Sequence, residues 1–271
     1  MESNYNNILV HVDGSIARIK FNRPEVYNAL SYEMMDEISE AIRKAGEEPE
    51  IRVIVLSGNG KSFCAGDDLR SMGKEMAQEG IVPGDENISR EKVYNWMYEK
   101  GYENIVMAVR ETLKPVIASV KGHTLGAGFD IALSCDFRVI TEDANLGLVY
   151  AQHAIASGIM SLPKMVGNHK ATEILFTGKT FSGKEAYYMG MVNVLTTEEK
   201  LEEDTVRLAE EFVNMPTASI GIIKDALNSQ LEIEETFKKQ AEMLTRNFFT
   251  RDFVEGINAF SNKRLPEFIG Q

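Results

Sequence analysis

Two glycine-rich bends, each entered from a short apolar run, constrain this chain more than any other feature. The first reads Ser62-Phe63-Cys64-Ala65-Gly66-Asp67-Asp68-Leu69 and follows IRVIVLS at 51–57. The second reads Lys121-Gly122-His123-Thr124-Leu125-Gly126-Ala127-Gly128-Phe129-Asp130 and follows VIASV at 116–120. Short apolar runs bounded by glycine turns read as buried strands. Small residues let a backbone approach a ligand closely. Turns and helix N-termini also present unpaired N–H donors. Two such donors meeting at one oxygen form an oxyanion hole, from which removal of one donor can cost about 3 kcal/mol of transition-state stabilisation. Taken singly, a bend of this kind is more often a packing feature, and spacing alone leaves both readings open.

Several competing motifs are absent. GHTLGAG has the wrong glycine spacing for a dinucleotide-binding fingerprint, and the chain holds neither a phosphate-binding P-loop nor a G-x-S-x-G nucleophile elbow. The net charge of −12 opposes nucleic acid and anionic membranes. Cys64 and Cys135 form neither a disulfide framework nor a metal spacing, so no metal is expected. The start, MESNYNNILVHVDG, lacks the marks of a signal peptide, and no window reaches the roughly 18 apolar residues of a membrane span. A cytoplasmic protein is expected.

With 271 residues, 44% of them hydrophobic, the chain can bury one large core. ILVHV (8–12) and IARIKF (16–21) around Asp-Gly-Ser read as a β-hairpin. Ser31 is placed to cap a helix whose apolar positions are Met34, Ile38, Ala41, Ile42 and Ala45. Residues 71–90 read as a long polar loop, 91–112 as helical, and FRVIT at 137–141 as a third buried strand. Repetition of strand, glycine bend and helix points to stacked strand–strand–helix units, not to one flat doubly wound sheet. After residue 198 four helix-like stretches follow one another. The expected division is a core over 1–197 and a helical C-terminal region over 198–271.

The ordered blocks FNRPEVYNAL, RVIVLSGNGKSFCAGDDL, KPVIASVKGHTLGAGFDIALSCDFRV, DANLGL, KATEILFTGKTFSGKEAYYMGMVN and EGINAFSNKR resemble the crotonase (enoyl-CoA hydratase/isomerase) superfamily over nearly the whole chain. The resemblance implies an α/β fold, a ClpP/crotonase-like spiral of ββα units with a helical C-terminal region, assembled as a trimer or dimer of trimers. It implies an acyl-CoA thioester as substrate, coenzyme A being part of that substrate and no further cofactor being needed. The oxyanion donors are then the N–H groups of Asp67 and Ala127. Many relatives carry glycine where Ala127 stands, so the space there is tighter. Ala65, Gly66, Asp67 and Leu69 match the strand-end segment that holds the adenine, and Gly126 belongs to the second bend. Val26 and Ala29 match a stretch along the CoA channel. Phe260 and Lys263 match positions that reach the acyl pocket and the CoA phosphates, often from a neighbouring subunit.

Acids and bases decide which enolate reaction follows. The first hydratase glutamate falls on Asp130, one methylene shorter, and the second on Tyr150, a hydrogen-bond donor at neutral pH and not a strong base. An enzyme of enoyl-CoA hydratase/isomerase type is the expectation. Other crotonase chemistry, namely acyl-CoA decarboxylation or thioester hydrolysis, and a catalytically silent acyl-CoA binder stand as alternatives. His153 falls in a stretch that lines the acyl pocket in relatives. His123 reads as structural, Cys64 as small core filler, and Asp68 as a turn or capping residue. Met72, Met76, Tyr94, Trp96, Met97 and Tyr98 fall in a variable region that shapes the acyl pocket, and their bulk would suit a large or cyclic acyl group.

Overall fold

A computed structural model describes residues 5–85 and 87–271. The chain opens with β1 (Ile8–Asp13) and β2 (Ile16–Phe21), the expected antiparallel hairpin, with Gly14 at φ +56° in its turn. Pro24 stops the strand and starts a single 3-10 turn over Pro24–Val26. Helix α1 (Tyr32–Glu47) starts where Ser31 accepts a hydrogen bond from the Met34 N–H, and its buried face includes Met34, Ile38, Ala41, Ile42 and Ala45.

Strands β3 (Val53–Gly58), β4 (Val116–Val120), β6 (Phe137–Thr141) and β9 (Val194–Thr196) extend the hairpin in parallel, in the order β1-β2-β3-β4-β6-β9. Between β4 and β9 lie β5 (His123–Leu125), β7 (Asn145–Gly147) and β8 (Phe181–Ser182), which form a second sheet in the order β5-β7-β8. From β3 to β7 the chain repeatedly lays one strand in the large sheet and then one in, or beside, the small sheet before a helix. This is the spiral of ββα units, with α5 (Ala127–Ser134) as the helix of the second bend. Cys64 bridges to Thr124 in parallel, so the first bend joins the edge of the small sheet without forming a named strand.

Residues 71–90 differ from expectation. Most of the first half is helix α2 (Leu69–Gln78), capped by Asp68, which accepts from the Ser71 N–H. Leu69, Met72 and Met76 recur at helical spacing, a signal masked by charged neighbours and Gly73. Residues 91–112 form two helices, α3 (Arg90–Lys100) and α4 (Glu103–Glu111), broken at Gly101-Tyr102.

The main core lies between the large sheet and helices α1, α4 and α5, with Phe21, Phe63 and Phe129 fully buried. After α6 (Leu162–Thr177, interrupted at Gly167) and α7 (Gly183–Tyr188), α8 (Leu201–Val213) covers the opposite sheet face over Val53, Val55, Ile117 and Val139. The chain ends in α9 (Thr217–Ser229), α10 (Ile233–Phe248) and α11 (Arg251–Ser261). Among the described residues no helix is long and apolar enough to cross a membrane.

Candidate active site

The two glycine bends abut. Gly66 has φ +97°, and a Cβ built on it would stand 2.8 Å from the Leu125 carbonyl oxygen and 3.7 Å from the Gly126 Cα. Gly126 has φ +52°, and a Cβ there would meet the Tyr150 ring at 3.5 Å. At Gly66 the contact leaves no room for a side chain, and at Gly126 the positive φ disfavours one. The first bend is held from its other side by the 27–30 segment: Ala65 N–H donates to Tyr27 O, Leu30 N–H to Gly66 O, and Asp68 N–H to Leu30 O. The Gly126 N–H donates to Gly147 O, which pins the second bend to β7. Within this paired arrangement the N–H groups of Asp67 and Ala127 have no hydrogen-bond acceptor among the described residues. Ala127 is the first residue of α5, where the helix itself offers no partner.

Beside the bends lies a cavity of about 230 Å³. Its apolar wall includes Met72, Met76, Trp96, Met97, Leu244 and Phe253, and its polar groups include Asp67, Tyr102, Glu103 and Tyr150. Helices α2, α3 and α4 supply one side, and α10 and α11 another. Trp96 is fixed by its Nε1–H, which donates to Tyr32 Oη at 2.9 Å, with the two rings edge to face.

Asp130 stands one layer behind this wall. It is fully buried in the first turn of α5, and its Oδ2 accepts from Tyr102 Oη (2.7 Å) and Tyr150 Oη (3.0 Å). Its Oδ1 has no partner among the described residues. Burial raises its pKa to about 6, opposed by the two tyrosine hydrogen bonds. Tyr102 and Tyr150 are pushed well above the usual phenol range, first by burial and then by neighbouring charge, so both stay protonated donors. Asp67 makes no side-chain hydrogen bond among the described residues. Asp67 lines the cavity, and burial followed by the Asp130 charge raises its carboxyl to about 7. Glu103 is buried. Its Oε1 accepts from Gln240 Nε2, its Oε2 is unpartnered, and burial followed by the Asp67 and Asp130 charges raises it to about 7 despite the Gln240 bond. Gln240 also donates to Tyr102 Oη at 2.8 Å and accepts from the Gly158 and Ile159 N–H groups.

The enoyl-CoA hydratase/isomerase family model matches residues 11–271. The probable enoyl-CoA hydratase of Bacillus subtilis (strain 168) is 30% identical, with 98% of this chain and all of the relative covered. The 1,2-epoxyphenylacetyl-CoA isomerase of Escherichia coli (strain K12) is 29% identical, covering 97% of this chain and 98% of the relative. The crystal structure of an enoyl-CoA hydratase/isomerase from Xanthobacter autotrophicus Py2 superposes with a TM-score of 0.84 at 26% identity, over 97% of this chain and 95% of that one.

The chain belongs to the enoyl-CoA hydratase/isomerase family.

In this hydratase/isomerase-family enzyme the fold gathers most, though not all, of the residues singled out from sequence. Asp67, Leu69 and Tyr150 line the cavity; Gly66 and Gly126 abut in the bends beside it, Gly126 against the Tyr150 ring, with Ala127 next in the second bend and Asp130 hydrogen-bonded to Tyr150. Val26, Ala29 and Ala65 lie along one strip outside it, where the 3-10 turn runs beside the first bend. His153 and Phe260 are elsewhere. Their rings pack edge to face at 5.3 Å, and with Lys263 they line a separate pocket of about 560 Å³. Burial lowers the His153 pKa, so the imidazole is neutral at pH 7. Of the bulky residues at 72–98, Met72, Met76, Trp96 and Met97 line the cavity, whereas Tyr94 and Tyr98 stack in series on Phe237 and fasten α3 to α10. Asp68 is the cap of α2 and pairs with Arg23 at 2.9 Å. Cys64 is buried with its thiol pushed up to about 12, which makes it inert filler. His123 is exposed against Asn145 and Tyr27, away from the cavity. Sequence reasoning missed Tyr102, Glu103 and Gln240. Their only signal is polarity at buried positions, visible once α4 and α10 are brought together.

Proposed function

We propose that this enzyme binds an acyl-CoA thioester with its carbonyl oxygen between the N–H groups of Asp67 and Ala127, and moves protons on the acyl chain through the enolate so stabilised. The supporting observation is a pair of unpaired N–H groups on two abutting bends, next to a buried carboxylate held by two tyrosine hydroxyls. An enolate carries negative charge on the thioester oxygen, and fixed donors in a site poor in water stabilise it without reorganisation. Asp130 is the base of this reading. Its Oδ2 is committed to Tyr102 and Tyr150, its Oδ1 is uncommitted, and a pKa near 6 leaves it ionised but basic at neutral pH.

Of the two reactions in the family's name, isomerisation fits better, because Tyr150 replaces the carboxylate that would hold a water and the cavity wall is mainly apolar. The strip of Val26, Ala29 and Ala65 is the proposed path of the CoA moiety, and the Phe260–Lys263 surface its second contact. A homotrimer or a dimer of trimers is proposed as the assembly, supported by the exposed apolar side chains of Ile222, Ile223 and Leu227 along α9. The chemistry calls for no cofactor beyond the CoA of the substrate.

Asp130→Asn tests the reading. It keeps an acceptor for the tyrosines and removes the base. Turnover across a panel of 2- and 3-enoyl-CoA esters is expected to fall about 10²–10⁴-fold while acyl-CoA affinity holds. Unchanged turnover would remove Asp130 from the mechanism.

A further inference from the structure

A chain of hydrogen bonds ends on Asp130, and its direction is fixed from its far end. Gln240, on α10, is fully buried. The main-chain N–H groups of Gly158 and Ile159 reach its Oε1 at 3.2 Å each, and an N–H only donates, so the orientation of the amide is set. Its Nε2 then faces Tyr102 Oη at 2.8 Å and also Glu103 Oε1, and donates to both. A phenol oxygen that accepts from Gln240 keeps its own proton for another partner. That partner is Asp130 Oδ2, at 2.7 Å. Tyr150 reaches the same Oδ2 at 3.0 Å, so both phenols hold one edge of the carboxylate and Oδ1 stays outside the chain. An aspartate carboxylate turns easily about its last bond, and a phenol hydroxyl turns to suit its neighbours. Gln240 removes the second freedom, and the Tyr102 bond restrains the first.

We propose that Gln240 is a positioning residue for the base: it fixes the Tyr102 hydroxyl as a donor to Asp130 and so holds the carboxylate in its reactive orientation. This inference rests on the reading of Asp130 as the single base. It gives the C-terminal helical region a part in the chemistry, since Gln240 and Tyr102 are 138 residues apart in the chain. The titratable groups around Asp130 are Tyr102 and Glu103 where α4 begins, Tyr150, and Asp67 in the first bend. None of these is basic, so the two phenol hydrogen bonds are what favours the ionised carboxylate against burial. Loss of one of them raises the Asp130 pKa further.

The pH dependence of kcat/KM reads this out on the ester that turns over fastest among the 2- and 3-enoyl-CoA panel. Activity appears as Asp130 ionises, so the acid limb lies near pH 6 in the wild type. In Tyr102→Phe the limb should move up by about one pH unit, as expected for one hydrogen bond to a charged group. Gln240→Met, which keeps the bulk and lacks the amide, should move it in the same direction. The double variant should match Tyr102→Phe alone, because Gln240 acts through that hydroxyl. Circular dichroism checks folding; should Gln240→Met not fold, Gln240→Asn, one methylene too short to span from Gly158 to Tyr102, takes its place. A limb unmoved in either single variant would overturn the assignment, as would additive shifts in the double variant. Wild-type enzyme inactive on the whole panel, or full turnover in Asp130→Asn, would overturn the base reading and this assignment with it.

Discussion

Asp130 shows how one residue's surroundings set its chemistry. Its carboxyl is fully buried and has two phenol donors and no cation bonded to it among the described residues, so burial outweighs the hydrogen bonds and its pKa rises from 3.8 to about 6. A raised carboxyl pKa means that the folded state binds the proton more tightly than the unfolded chain. The resulting stability is complete below about pH 4 and is lost as pH rises through 6. The rise of about two units corresponds to an upper figure of about 3 kcal/mol. Asp130→Asn removes this dependence. Urea unfolding of both proteins from pH 4 to pH 8 should therefore show the variant gaining on wild type as pH rises; a constant gap would contradict the burial argument. The carboxylate at position 130 was legible in the sequence through the family resemblance of the second bend. Of its two phenol partners, Tyr150 was singled out by the same resemblance, and Tyr102 was not. Tyr102 reaches it from 28 residues away in chain order, across a break between helices that hydrophobic periodicity does not reveal.

At the scale of elements, the bends and the strands before them were readable because glycine spacing and apolar runs are local properties. The hairpin, β3, β4 and β6 fall where the sequence places them. Helix α2 was not readable, since its apolar face is a narrow stripe of Leu69, Met72 and Met76 and the rest of it is polar. That stripe lines the cavity at the margin of the main core, where Met76 is buried and Met72 is only partly buried. The pairing of the bends is the more exacting feature. Gly66→Ala would force a Cβ to within 2.8 Å of a backbone oxygen at a φ of +97°. The substitution should destabilise the fold by about 1–3 kcal/mol and lower turnover, since the two N–H groups separate as the bends part. A denaturation midpoint and an activity both within error of wild type would contradict the close pairing.

At the scale of the whole molecule, the site is assembled from both ends of the chain. The glycine bends belong to the spiral core, while Gln240, Leu244, Phe253 and Ile257 come from α10 and α11 and close the cavity beside helices α2 to α4. A buried ion pair, Lys224 to Asp136 at 2.6 Å, ties α9 to the residue before β6. Of the matched sequence blocks, which run from residue 21 to residue 264, the cavity draws on RVIVLSGNGKSFCAGDDL through Asp67 and Leu69 and on EGINAFSNKR through Ile257. The proposed centre of that site is the meeting of two main-chain N–H groups at one thioester oxygen. Isotope-edited infrared spectroscopy tests that most directly, with a saturated acyl-CoA labelled with ¹³C at its thioester carbonyl. Binding to the wild-type enzyme should move the labelled carbonyl stretch to lower frequency than in water, as two fixed donors polarise the bond. A stretch at or above its solution frequency in a saturated complex would contradict the oxyanion-hole proposal.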